Sequence, residues 1–407
     1  MYRSLLLQLL EGYPDLQTVL DDEDLVPQDQ KGCPSLNVLK DLFRNTVSRL
    51  GQRSFTCFVD ALDECDEQQV RGMVQYFEEL AEQSTVNGVM LRICFSSRHY
   101  PYIVIQRGIR LTLEDQPGHA EDLANYVASR LRTKDPALAE ELLGKAAGVF
   151  LWVVLVVNIL NRENGRGGLA LRKRLAEIPS GLSELFKDIL RRDSENMEEF
   201  LLCILWILCA KRPLQPRELY HALWSGLSLK GLVDPKIPDV TIPDAGDSII
   251  NGCVISSSKG LAEITKSEQP TVQFIHESVR DFLVKDKGLQ ELWPDLGFNW
   301  ESLCHERLKQ CCNSYMNHTL VRASVSKLLS EAKSNKQVDI SKEYPFFWYA
   351  SRHILYHANA AADAVPQDEF LSRFPVSNWI SIMSLSPDHK VRKHSPDASL
   401  FYIFADT

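Results

Sequence analysis

The sequence predicts an α/β layer followed by a mainly helical chain. Short strand-like runs at 55–60, 89–95 and 109–113 alternate with helical periodicity, the pattern of a parallel sheet with crossover helices. After Gln116-Pro117-Gly118 those strand signals stop, and helices broken by one short hairpin take over. The length of 407 residues exceeds one ordinary core, so two to four domains are expected.

Taken in order, Leu5, Leu6, Leu7, Leu9 and Leu10 predict a first helix, ended by Gly12 and Pro14. Apolar residues three and four apart over 36–43 predict a second. Residues 55–60, FTCFVD, read as a strand, and 67–84 as a helix with a polar face. Residues 89–95, VMLRICF, are apolar on both faces, which suits a buried parallel strand. Ile109, Leu111 and Leu113 alternate with Arg110 and Thr112 and make a third strand candidate. Residues 119–190 read as helices with a loop rich in Gly and Arg at 161–168. Residues 197–226 are helical again, broken by KRPLQP at 211–216, and the Pro and Asp cluster at 234–247 is a loop. Residues 260–264 and 271–275 predict a hairpin, and 277–285 a helix after it. Two or three helices plus a hairpin in about ninety residues is a winged-helix pattern. Residues 291–407 read as helical, and no internal repeat is evident.

Bulk composition narrows the function classes. Lys plus Arg is 45 against 54 Asp plus Glu, a formal charge of -9 that disfavours broad attraction to nucleic acid. The 10 cysteines include no C-x-x-C pair. Cys57, Cys94, Cys203 and Cys209 sit in apolar runs and read as small reduced core residues of an intracellular protein. No targeting segment is evident, since the leucines at 5–10 lead into Glu11-Gly12-Tyr13-Pro14 without a small-residue cleavage site. The apolar run 146–160 is shorter than a bilayer span and contains Asn158, so it reads as a buried helix. A cytoplasmic protein without membrane or nucleic-acid partners is expected.

The most informative segment is 55–64, FTCFVDALDE. An apolar strand delivers Asp60, Asp63 and Glu64 to its C-terminal end, the arrangement by which a P-loop NTPase holds its nucleotide's magnesium. Magnesium takes one or two carboxylates and keeps waters, and a further carboxylate nearby can orient an attacking water. Taken alone, acids after a strand more often mark an ordinary strand–helix turn. Arg98 follows Ser96-Ser97 at the end of the second strand. Singly it is a surface arginine, but beside a parallel neighbour it stands on the same ligand edge. His276 precedes a helix and reads first as its cap or as a core histidine. His353 and His357 share a helix face without enough nearby ligands for a metal site, and read as structural. No G-x-x-x-x-G-K-[ST] occurs, and the only Gly-Lys pair, Gly144-Lys145, is followed by Ala146.

The order of these motifs resembles the NACHT-type STAND NTPases, signalling switches related to NOD-like receptors, and especially the large fungal set that carries C-terminal ankyrin or WD repeats. The matching stretches are SLLLQLL, FVDALDECDE, LRICFSSRHYP, AAGVFLWVVLVVNIL, LWILCAKRPLQPRELYHALW and VQFIHESVRDFL, in the family's order over roughly 1–290. YPFFWYASRHILYHA is similar to the helical segment leading into such repeats. The resemblance implies a partial NTPase core at 1–116, a helical domain at 117–190, a winged-helix domain at 191–290 and a helical linker at 291–407. It implies Asp60 as the Walker B metal carboxylate, with Asp63 and Glu64 supporting hydrolysis. Arg98 becomes the γ-phosphate sensor, His276 the β-phosphate contact of the closed state, and Gly148 a position near the base. Gly148-Val149-Phe150 lacks the family's proline there. The family uses Mg2+ with ATP or GTP and associates with protein partners and itself. The phosphate-loop strand would precede Met1. The expectation is therefore a fragment or truncated paralogue of such a switch that binds nucleotide weakly, with a nucleotide-free interaction scaffold as the rival and a winged-helix DNA binder as a third reading.

Overall fold

The computed structural model describes residues 1–21, 34–62, 65–97, 104–113, 115–165, 170–192, 195–239, 245–332 and 340–385. The described part is mostly helical with two small two-stranded sheets. The chain divides into two compact units, Met1–Leu113 and Glu114–Thr407.

In the first unit, α1 (Tyr2–Gly12) buries Leu5, Leu6, Leu9 and Leu10 on one face, and a 3-10 helix follows at Pro14–Asp21. α2 (Leu36–Ser48) starts at the Ser35 cap and buries Leu42, Phe43, Thr46 and Val47. β1 (Ser54–Val59) leads through an acidic turn into α3 (Glu67–Val86), where the Asp66 carboxylate accepts from the Gln68 and Gln69 amides at 3.1 and 3.0 Å. β2 (Met90–Phe95) pairs parallel with β1, Ser54 opposite Met90 and Val59 opposite Phe95. The inward face packs Phe55 and Phe95 against Phe43 and Phe77, ring centroids 5.8 to 6.3 Å apart.

Three expectations are corrected here. Among the described residues the strands are covered on one face, for Phe58 is 74% and Met90 50% exposed. The first unit's described helices belong to one hydrophobic cluster on the inner face. Cys94 shares the open face and is exposed, unlike the buried Cys57, Cys203 and Cys209. Residues 109–113 form no strand, and Ile109 is 99% exposed with Leu111 and Leu113 also in solvent. The alternation there is real, but a strand also needs a neighbouring strand to form a ladder with, and among the described residues no strand pairs with this segment.

The second unit begins with α4 (Pro117–Arg130), α5 (Pro136–Ala146), α6 (Phe150–Gly165), α7 (Leu171–Glu177) and α8 (Leu182–Arg192). The apolar run expected as a buried helix is α6. It starts only after the left-handed Ala147 and Gly148, and buries Trp152, Val153, Val156, Val157 and Leu160. Among the described residues no helix is long and apolar enough to cross a membrane. α9 (Met197–Cys209) is buried nearly all round, and α10 (Pro216–Leu229) opens with Glu218 accepting from the Gln215 amide at 2.8 Å. α11 (Ala245–Ser257) packs on α9 and α10, followed by the antiparallel hairpin β3 (Ala262–Ile264) and β4 (Val272–Phe274). α12 (Glu277–Val284), α13 (Gly288–Leu292), α14 (Trp300–Asn317), α15 (Thr319–Ala332), α16 (Phe347–Ala361), α17 (Asp368–Arg373) and α18 (Val376–Met383) complete the described chain. One buried cluster runs from Leu123 to Ile382, so these helices share a continuous core.

Candidate functional site at the strand ends

Parallel pairing puts the C-terminal ends of β1 and β2 side by side, and the backbone ties them together. The Ser96 amide donates to the Val59 carbonyl at 3.0 Å, and the Leu62 amide donates to the Ser96 carbonyl at 3.0 Å. Between these two bonds the Ser96 hydroxyl donates to Asp60 Oδ1 and accepts from the Ala61 amide at 2.9 Å. Ala61 takes a left-handed φ of 56°, which turns the chain sharply so that Leu62 can bury beneath the sheet. Such a conformation costs an alanine roughly 1 kcal/mol or more, and it persists because three hydrogen bonds and a buried leucine fix both sides of it. Beneath the sheet, burial pushes the Cys57 thiol up to about 12, so it remains a neutral packing group.

Asp60 is exposed, with one carboxylate oxygen engaged by Ser96. The sequence reading missed Ser96. Its signal was present as Ser96-Ser97 closing an apolar run, but only the register to β1 shows that it meets Asp60. Asp63, Glu64 and Arg98 lie outside the described residues. No group of three His, Cys, Asp or Glu able to hold a metal occurs among the described residues. Among the described residues the second Asp60 oxygen meets no partner, and one such carboxylate would fit the water-rich shell of magnesium.

The other two expected positions lie in the second unit. Gly148 has φ 83°, and its carbonyl accepts from His119 Nε2 at 2.7 Å, pinning the turn that starts α6 beside Val149 and Phe150. His276 is the exposed N-cap of α12. Its Nδ1 accepts from the Ser278 amide at 3.1 Å, which leaves Nε2 as the nitrogen for any other contact. The capping role read from the sequence is therefore present.

A cleft of about 400 Å³ runs between α2 and α3, lined by Lys40, Asp41, Arg44, Gln75, Tyr76 and Glu79 among others. Its two cations face two carboxylates, and Tyr76 donates to the Lys40 carbonyl at 2.7 Å, so it offers no net charge to a ligand.

A family model described as Nephrocystin 3, N-terminal, matches residues 1–98, the span that contains α1 to β2 and the Asp60–Ser96 contact. No curated protein and no solved structure matches the chain.

Proposed function

We propose that this chain carries the magnesium side and the regulatory helices of a NACHT-type STAND signalling switch. The observation that carries the reading is the contact between Asp60 and Ser96 across the C-terminal ends of adjacent parallel strands, where open α/β sheets bind their ligands. The match of residues 1–98 to the nephrocystin 3 N-terminal family supports it loosely.

In this reading Asp60 would hold the magnesium of a bound ATP or GTP, Asp63 and Glu64 would activate water, and Arg98 would contact the γ-phosphate. The metal would neutralise phosphate charge. Ser96 keeps the Asp60 carboxylate turned toward the strand edge. α9, α10, α11 and the β3–β4 hairpin follow the order of a winged-helix domain, and His276, directly after the hairpin, is its nucleotide-sensing residue. α11 precedes the hairpin and contains no lysine or arginine, which disfavours the DNA-binding reading. The phosphate cradle has no counterpart in the 407 residues, because no Gly-rich loop ending in Gly-Lys-Ser/Thr is present.

Titration with fluorescent ATP and GTP analogues plus magnesium tests this, on the chain alone and fused behind an added strand and Gly-rich phosphate loop. The chain alone should show no saturable micromolar binding. The joined protein should bind, and Asp60→Ala should abolish that binding. A joined protein that ignores nucleotide would instead favour the nucleotide-free scaffold.

A further inference from the structure

α14 and α16 pack along one another, and their interface holds a chain of hydrogen bonds. The Lys211 amide, in the turn between α9 and α10, donates to the Tyr349 hydroxyl at 2.9 Å. Tyr349 lies 3.1 Å from His357 Nε2, and His357 Nδ1 lies 2.9 Å from His305 Nδ1. Tyr349 accepts from the Lys211 amide, and with both imidazoles neutral its one proton can go to His357 Nε2. In that tautomer neutral His357 carries its proton on Nδ1 and donates to His305 Nδ1, the His305 proton being on Nε2. The neutral pair thus meets each contact with a single proton and gives the buried Tyr349 hydroxyl an acceptor.

A further proton must reorganise this arrangement. On His357 Nε2 it would turn the hydroxyl hydrogen of the buried Tyr349 away from its acceptor, and on His305 Nδ1 it would drive the His357 proton over to Nε2 with the same result. The surroundings also oppose it. Lys211 and Arg212 come from the α9–α10 turn, with Lys211 Nζ 4.2 Å from the Tyr356 ring and Arg212 5.2 Å from the Tyr349 ring. Arg352 and His353 flank the site on α16. The nearby acids are engaged elsewhere: Glu218 on α10 with Arg212, and Glu306 on α14 with Lys309 and Gln367. Cys312 on α14 is a buried thiol raised well above its ordinary range. His357 is fully buried, and burial followed by His305, His353 and Lys211 holds it well below the usual histidine value. Burial lowers His305, and burial with Arg212 and its neighbours brings His353 to about 4.

We propose that the Lys211–Tyr349–His357–His305 chain is a proton-operated latch that holds the C-terminal helices α16 and α18 on the helical body and releases them on acidification. α18 follows α16 because Trp379 Nε1 donates to the Ser351 carbonyl at 2.6 Å. The sign follows from the neutral state. Once released, the imidazoles take protons near their ordinary value of about 6.5, so the latch is fully closed above that pH and weakens below it.

Hydrogen exchange of the full chain, corrected for intrinsic rates, reads this directly. Between about pH 7.5 and about pH 5, peptides of α16 and α18 should gain roughly tenfold or more in exchange, and those of α4–α8 should not. His305→Gln still accepts from His357 but cannot take a proton. It should leave protection unchanged at the higher pH and cut the acid response by about threefold or more. Tyr349→Phe should loosen α16 at both pH values. His221, buried on α10 against Tyr315, also disfavours its charged form, and its contribution persists in His305→Gln, so the difference between the two proteins isolates the latch. An equal acid response in His305→Gln overturns the proposal, as does a uniform rise across all helices. Added zinc that protects α16 in the unsubstituted chain but not in His305→Gln would overturn it in favour of a metal-binding pair.

Discussion

At the residue scale, Ser96 joins more partners at the strand ends than any other described side chain there. It touches Asp60, fixes the Ala61 amide and lies between two backbone bonds. Ser96→Ala should therefore raise exchange at the Ala61 amide by roughly fivefold, the worth of one hydrogen bond of about 1 kcal/mol. Asp60→Asn keeps an oxygen for the hydroxyl and should leave that amide nearly unchanged. Equal effects from the two substitutions would mean that carboxylate charge, rather than the hydroxyl bridge, holds the turn. Asp60 and His276 were legible in the sequence because each stands beside an element boundary that periodicity reveals. Ser96 was not, since its role depends on a register between strands thirty-odd residues apart.

Among the elements, the strands at 54–59 and 90–95, the hairpin and α12 agree with the patterns that predicted them. Aromatic and β-branched runs bounded by turn residues determine strand formation locally. What covers a strand is set by the rest of the fold, and so the open face of Phe58, Met90 and Cys94 was not foreseen. α11 was missed because its sequence, AGDSIINGCVISS, has serine, glycine and asparagine where a helix former is expected, and it begins inside a Pro and Asp cluster. Its contacts with α9 and α10 override that weak propensity. Packing also outweighs propensity at Gly226 in α10. A Cβ there would collide with Leu202 Cδ2 and lie 2.8 Å from Cys311 Sγ. Gly226→Ala gains up to about 1 kcal/mol of helix propensity but forces apart α9, α10 and α14 at a cost of roughly 1–3 kcal/mol. A net loss of about 1–2 kcal/mol in urea denaturation is expected. A stabilised variant would show that the three helices can shift together.

For the whole molecule, the two units differ in how completely they bury themselves. The second has one continuous core. The first closes one face of a two-stranded parallel sheet and leaves the other in water, although parallel sheets are ordinarily covered on both sides. It also exposes Ile109, Leu111 and Leu113 in a segment with strand alternation and, among the described residues, no strand beside it. Open edges and apolar faces of this kind template association between copies. The full chain should therefore self-associate with rising concentration in sedimentation velocity, and Phe58→Lys with Leu111→Lys should reduce that association. Both side chains are already exposed, so neither change opens a cavity. All 7 tryptophans lie beyond residue 150, so tryptophan fluorescence follows the second unit alone. Its melting should be the same in the substituted and unsubstituted chains, which places any change in association in the first unit. A monodisperse unsubstituted chain with one cooperative transition would show that the first unit is sufficient as it stands. The nucleotide-free scaffold would then be the stronger account of what this chain does.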